Sequence, residues 1–343
     1  MRILGIESSC DETAAAVLEE RRGRFFLKSG VIASQVAIHA QTKGVVPEVA
    51  ARNHVKAILP VIAGALGKQR FDAIAVTSGP GLVTSLSVGV HTARTLSYLW
   101  RTPLVAVNHI EGHLYSSWLQ AIETPSADIV FPALVLIVSG GHTELILMKD
   151  HGAYKKIGQT LDDAAGEVFD KVARMLDLGY PGGPAISREA QSGDRARFDF
   201  PRALLFDPTR RYDFSFSGLK TSVLYRIRDL KEQKQFSKKL IPHLCASFEQ
   251  AVVDVLVGKT LRAARALQVK SILLGGGVVA NRLLRSQMAD MAVRELPDVS
   301  LHIPIVKYCT DNAAMIAMAG YFHARKKEYT PWKKIDARAE WSL

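Results

Sequence analysis

Residues 2–18 read RILGIESSCDETAAAVL, and the fold of the chain follows from that stretch. A short apolar run, 2–7, meets a polar turn at Ser8-Ser9-Cys10-Asp11-Glu12 and returns as a second apolar run, 13–18. This is the pattern of two strands joined through a turn. The arrangement recurs at 133–148, ALVLIVSGGHTELILM, where Ser139-Gly140-Gly141 separates a strand over 133–138 from one over 143–148. Further strand-like runs at 73–77, 103–107 and 271–274 alternate with helical segments: one after Pro47, one over 84–98, one over 278–292 and a last one over 312–326. Alternation of this kind belongs to the α/β class. A strand–turn–strand unit that appears twice predicts two related lobes with a central ligand cleft. The expected division is a first lobe over 1–108, completed by a C-terminal helix within 310–330. A second lobe over 109–309 carries helical insertions, and 331–343 is a basic tail expected to be mobile.

At 343 residues the chain suits two domains better than one. Its 44 Lys and Arg against 33 Asp and Glu give a formal charge of +11. A surface that basic attracts polyanions, nucleic acid first among them. Cys10, Cys245 and Cys309 are the only cysteines and form no CxxC pair, which excludes a disulfide framework and a cysteine-built zinc site. The first residues lack the apolar run of a signal peptide, and the longest apolar stretch, 131–138, is far shorter than a membrane span. A cytoplasmic protein with no membrane association is expected.

His109-Ile110-Glu111-Gly112-His113 follows directly on a strand. If it opens a helix, the two imidazoles share a face and reach one metal ion; the alternative is a surface or capping pair. A zinc peptidase is excluded, because its base directly follows the first histidine. Glu111 stands two positions on, about 200° round the helix. Asp311, before the last helix, is either a capping carboxylate or a third, oxygen ligand. The glycine turns at 138–143, 180–184 and 275–277 are plain bends or cradles whose amides approach a nucleotide-like ligand. Asp170 could accept hydrogen bonds from a hydroxyl-bearing ligand. Asp11 or Glu12 could act as a base from the polar turn, unless that turn is only a hairpin.

These residues resemble, over almost the whole chain, the TsaD family of tRNA threonylcarbamoyltransferases, within the actin-like/sugar-kinase/Hsp70 ATPase superfamily of RNase H-like lobes. The resemblance is carried by GIESSCDET at 5–13, GVVPE at 44–48, HIEGH at 109–113 and VSGGHT at 138–143. It continues through DDAAGEVFDK at 162–171, DFSFSGLKT at 213–221 and CTDNAAMIA at 309–317. Two positions depart from the family pattern: Lys43, where a second glycine is usual, and Val279, where a small polar residue is common.

The resemblance implies one divalent metal, iron or zinc, on His109, His113 and Asp311. It implies threonylcarbamoyl-adenylate as donor, held by Ile137, Val138, Ser139, Gly140, Gly141, Asp170, Gly183 and Asn281. The acceptor would be the N6 amine of the adenosine 3′ to the anticodon in tRNAs reading codons that begin with A. Besides tRNA, the implied partners are a non-catalytic paralogue and a small ATPase. Asp11 or Glu12 is the candidate catalytic proton acceptor for direct attack by the amine. The competing reading is an actin-fold small-molecule kinase or ATPase, which shares the lobes and glycine turns but needs no histidine pair.

Overall fold

The computed structural model describes all residues except 43, 68–69 and 124–127, and the side chains of 120, 121 and 123 are likewise not described. The departure noted at Lys43 therefore lies outside the described residues. The chain divides into two compact units, Met1–Asp128 with Pro304–Leu343, and Ile129–Ile303.

In the first unit, β1 (Arg2–Glu7), β2 (Glu12–Arg21) and β3 (Arg24–Ser34) form an antiparallel meander. After α1 (Val36–Gln41) and α2 (Pro47–Leu66) comes β4 (Ala73–Gly79), then α3 (Val83–Trp100), β5 (Leu104–Asn108) and α4 (His109–Glu123). β4 runs parallel to β1 and β5 parallel to β4, giving the strand order β3-β2-β1-β4-β5. The alternation of β1 decides what covers each face. Leu4 and Ile6 cluster with Ile58 and Ile62 of α2 and Val90 of α3. The opposite face meets the last helix: a Cβ on Gly5 would lie 2.8 Å from the Ala317 amide nitrogen and inside contact distance of the Ala313 carbonyl.

The second unit repeats the plan. β6 (Ala133–Val138), β7 (Thr143–Asp150) and β8 (Ala153–Gln159) form the meander. The helices α5 (Ala165–Met175), α6 (Gly182–Ala190), α7 (Ser217–Glu232) and α8 (Ile241–Ala266) are inserted before β9 (Ser271–Gly275), followed by α9 (Arg282–Glu295) and β10 (Ser300–His302). The order β10-β9-β6-β7-β8 is that of the first sheet, with β9 parallel to β6 and β10 parallel to β9. By length and apolar character α8 could pass for a membrane span, but most of its residues are buried inside this unit. α10 (Ala313–Arg325) closes the chain's helices and packs in the first unit.

Several particulars differ from the sequence reading. β3 and β8 are edge strands whose side chains alternate or stay largely wet, so neither forms the apolar run that marks a buried strand. The helix expected over 278–292 is broken: a short turn at Gly277–Ala280 precedes Asn281, whose side chain accepts the Leu284 amide and starts α9. Val279 is buried in that turn. α4 lies in the first unit, where Gly112 lets it approach α10; a Cβ there would stand 2.7 Å from Ile316 Cδ1. The basic tail is anchored, because Ile335 is buried in the first core and backbone bonds hold it at its start and near its end. Thr330 N donates to Leu104 O (2.8 Å), Arg338 N to Ser78 O (2.7 Å) and Gly81 N to Ala339 O (3.2 Å).

Candidate metal centre

β5 ends at Asn108 and α4 starts at the next residue, so His109 and His113 occupy one face of its first turns. Asn108 makes this junction definite. Its Oδ1 accepts the Ile110 amide at 2.8 Å, and its Nδ2 donates to the Trp341 carbonyl at 2.8 Å. The imidazole centroids lie 4.7 Å apart at 83°. Asp311 Oδ1 is 3.5 Å from His109 Nε2 and 3.2 Å from His113 Nε2. All three potential ligand atoms fall within 4.8 Å of one another. The capping alternative for Asp311 does not hold, since the next residue, Asn312, caps α10 by accepting the Met315 amide at 3.0 Å.

The surroundings set the state of each ring. Glu7, fully buried at the end of β1, accepts from Thr77 Oγ1 (2.6 Å) and the Ser9 amide (2.5 Å), and lies 3.2 Å from His109 Nδ1. Burial raises the Glu7 carboxyl, but His109 and the hydrogen bonds outweigh it and hold the group below its ordinary value. An ionised carboxylate only accepts, so His109 presents an Nδ1 proton to Glu7, with Ser9 Oγ at 3.1 Å from the same nitrogen, and Nε2 faces Asp311, where a metal would take the place of its proton. Burial opposes charge on His109, yet Asp311 and Glu7 together raise it to about 9. His113 is different: burial, helped by the neighbouring His109, keeps it below the usual histidine range despite Asp311. Both His113 nitrogens are buried without a hydrogen-bond partner, and the nearest carboxylate oxygen, Asp311 Oδ1, stands 3.2 Å from Nε2. Two nitrogen donors and one carboxylate oxygen, one donor being an unsatisfied buried imidazole, suit a divalent transition metal with open positions.

Asp11 and Glu12 lie close enough to Asp311 to feel its charge. Burial raises both carboxyls, Glu12 to about 7 with Asp11 and Asp311 adding to the effect. Ser34 Oγ donates to Glu12 Oε1 at 2.8 Å, while Oε2 is buried without a partner. The Cys10 thiol is pushed far up by burial and by Asp11, so no thiolate nucleophile arises in this turn. His54 pins the turn through Thr13 Oγ1 (2.7 Å) and the Cys10 carbonyl (3.0 Å).

Glu111 points away from the metal cluster, as its spacing requires, and meets His323 of α10 at 2.9 Å. Glu328 holds the other ring nitrogen at 2.7 Å. Burial lowers His323, but the two glutamates carry it up to about 9. The folded value therefore stands above the ordinary 6.5, and its stabilisation is full below about pH 6.5 and lost as pH rises through 9. We expect His323→Gln to cost roughly 2–3 kcal/mol at pH 6, from the size of that shift, and much less at pH 9.5. Urea unfolding at the two pH values measures this.

The residues expected to hold a donor all lie in the second unit. Ile137 and Val138 are buried strand residues, leaving only their backbone to meet a ligand. The following turn closes through Ser139 N to His142 O (2.8 Å), and Gly166 of α5 packs against it so tightly that a Cβ would stand 2.9 Å from Gly140 Cα. Gly140, Gly141 and Gly183 have open space where a Cβ would be. Asp170 Oδ1 accepts the Gly182 amide at 2.7 Å, which joins α5 to the start of α6. On α6, Ser187 accepts from Asn281 Nδ2 at 2.9 Å, and that nitrogen also donates to buried Glu249 at 2.7 Å. With Oδ1 capping α9, the Asn281 side chain is committed to its neighbours.

Sequence reasoning missed Glu7, Ser9 and Asn108. A glutamate closing an otherwise apolar strand was the one visible sign, since a buried carboxylate needs a partner.

Two units with the same sheet order, each a meander extended by two parallel strands, define a two-lobed actin-like α/β protein. Solved structures of HypF share this fold. T. kodakarensis HypF matches with a TM-score of 0.60 at 14% identity over 95% of this chain, and full-length HypF with a TM-score of 0.58 at 13% identity over 96%. This chain spans about half the length of either, 48% and 47%. The sequence profile described as TsaD: tRNA N6-adenosine threonylcarbamoyltransferase matches residues 27–318. Relatives named tRNA N6-adenosine threonylcarbamoyltransferase include that of Thermomicrobium roseum, 49% identical over 95% of this chain and 93% of its own. Those of Geobacillus thermodenitrificans and Bacillus subtilis are 51% and 50% identical, each over 93% of this chain and 90% of their own. The chain belongs to the tRNA N6-adenosine threonylcarbamoyltransferase family.

Proposed function

We infer that this protein transfers a threonylcarbamoyl group to the N6 amine of an adenosine in tRNA. The observation that carries this is near-complete coverage at about half identity by proteins bearing that name. In finer terms, we propose threonylcarbamoyl-adenylate as donor and the adenosine 3′ to the anticodon, in tRNAs reading codons that begin with A, as acceptor. The N6 nitrogen attacks the carbamoyl carbon, a C–N bond forms, the C–O bond to the phosphate breaks and AMP leaves. An exocyclic amine is a weak nucleophile, so the donor must be activated and held in line.

His109, His113 and Asp311 would hold one divalent metal, iron or zinc, supported by the donor set and by the unsatisfied His113 nitrogens. When bound, such an ion supplies Lewis-acid polarisation and orientation. Glu7 would keep the His109 tautomer fixed for it. Glu7→Gln is expected to weaken metal affinity about 10–100-fold, the usual cost of losing a carboxylate behind a ligating histidine. Competition with a chelator of known affinity measures this. The backbone of Ile137, Val138, Ser139, Gly140 and Gly141, with Asp170, Gly183 and the Asn281 region, would hold the donor. Asp11 or Glu12 would take the proton released from N6. If Asp11→Ala and Glu12→Ala each retain near-normal turnover at saturating substrate, neither is the acceptor.

The protein would work in the cytoplasm, with tRNA, a non-catalytic paralogue and a small ATPase as partners. The test is nucleoside mass spectrometry on tRNA from cells depleted of the protein. Rescue of threonylcarbamoyladenosine by the wild-type chain and not by His109→Ala/His113→Ala is expected. Unchanged modification under verified depletion, with no redundant enzyme, would overturn the reading in favour of an actin-fold kinase or ATPase.

A further inference from the structure

The end of α3 and the segment after α10 enclose a groove of about 700 Å³ in the first unit, lined among others by Tyr98, Arg101, Tyr329 and Trp332. Two of its rings stand in the open, Tyr98 being 60% exposed and Tyr329 40%, while Trp332 is half-buried against the first core. Tyr98 leans on Trp332 at 4.9 Å, and the cations of Arg94 and Lys333 lie 5.8 and 5.3 Å from the Trp332 ring. Residues 325–338 hold six basic side chains against two acidic ones, and one of those acids, Glu328, is engaged by His323. Among the described residues no carboxylate pairs with Arg101, Lys333, Lys334 or Arg338. Exposed rings set among uncompensated cations favour a polyanion with flat faces over a protein or lipid surface, since rings accept stacked bases and cations accept phosphates.

The path of the chain adds direction. Thr330 is bonded at the amino end of β5 and Trp341 at its carboxyl end, beside Asn108 and the histidine pair. The segment thus spans the length of that strand, about 13 Å from Leu104 to Asn108. Near its end the Arg338 guanidinium stacks on Trp341 at 4.9 Å.

We propose that the end of α3 and residues 326–341 form an RNA-binding track that leads the substrate tRNA to the metal centre. Bases stack on Tyr98 and Tyr329, which Trp332 backs from the core side, and phosphates meet Arg101, Lys333, Lys334 and Arg338. This rests on the reading of tRNA as acceptor. The experiment is equilibrium binding of fluorescent tRNA to the full chain over a range of KCl concentrations, with melting curves for every variant. Tyr98→Ala is expected to weaken binding about tenfold with its salt dependence unchanged, and Tyr98→Phe to bind as the wild type does. Lys333→Glu/Lys334→Glu is expected to weaken binding more than tenfold at low salt and to reduce the slope of log affinity against log salt by about 2. Wild-type affinity and slope in both Tyr98→Ala and the charge-reversed variant would overturn the track while leaving the acceptor reading intact. Failure of the wild-type chain itself to bind tRNA would overturn both.

Discussion

His113→Ala should abolish metal binding and lower turnover about 10²–10³-fold, the worth of several kcal/mol of Lewis-acid stabilisation. The effect is large because of where the side chain sits. It is fully buried, neither ring nitrogen has a hydrogen-bond partner, and Nε2 faces Asp311 Oδ1 at 3.2 Å. A buried polar atom left unsatisfied costs about 1–3 kcal/mol, which a metal would turn into a bond. Added zinc or ferrous iron should therefore raise the melting temperature of the metal-free wild type and leave that of His113→Ala unmoved. Elemental analysis and thermal scans decide this together. Equal metal content in the two proteins would remove the histidine from the ligand set.

Gly5→Ala should cost about 3 kcal/mol, and Gly5→Val should prevent the first unit from folding. β1 and α10 approach backbone to backbone at this residue, so an added methyl meets the Ala313 carbonyl and the Ala317 amide, not a side chain that can swing aside. Overpacking against immobile backbone stands at the top of the usual range. The same displacement pushes on the start of α10, two residues after Asp311. A fall of about 6–12 °C in melting temperature is expected for Gly5→Ala, with weakened metal affinity. An alanine variant that melts within a degree of wild type and binds metal normally would show that the helix can retreat freely.

Much of this was legible in the sequence. The repeated strand–turn–strand units at 2–18 and 133–148 became the inner strands of two sheets with one order, because buried central strands must be apolar on both faces. His109 and His113 declared themselves by a four-residue spacing that only a helix turns into a shared face, and the offset of Glu111 excluded a peptidase for the same reason. The edge strands β3 and β8 were not legible, since a strand with one wet face carries no apolar run. Nor was the anchored tail, whose charged surface conceals a single buried residue, Ile335, and a set of backbone bonds.

What the sequence determined alone was periodicity: the α/β class, the doubling of the unit, the paired imidazoles and the glycine turns. These are local properties, set by side-chain spacing and backbone freedom within a few residues. Tertiary structure alone decided that Asp311, about two hundred positions from the histidines, completes their cluster while Asn312 takes the capping duty. It also decided that Glu7 meets His109 Nδ1, that Asn281 is bound to Ser187 and Glu249, and that Trp341 braces Asn108. Each of these is a contact between distant parts of the chain, formed because buried polar atoms must find partners in whatever the packing brings beside them.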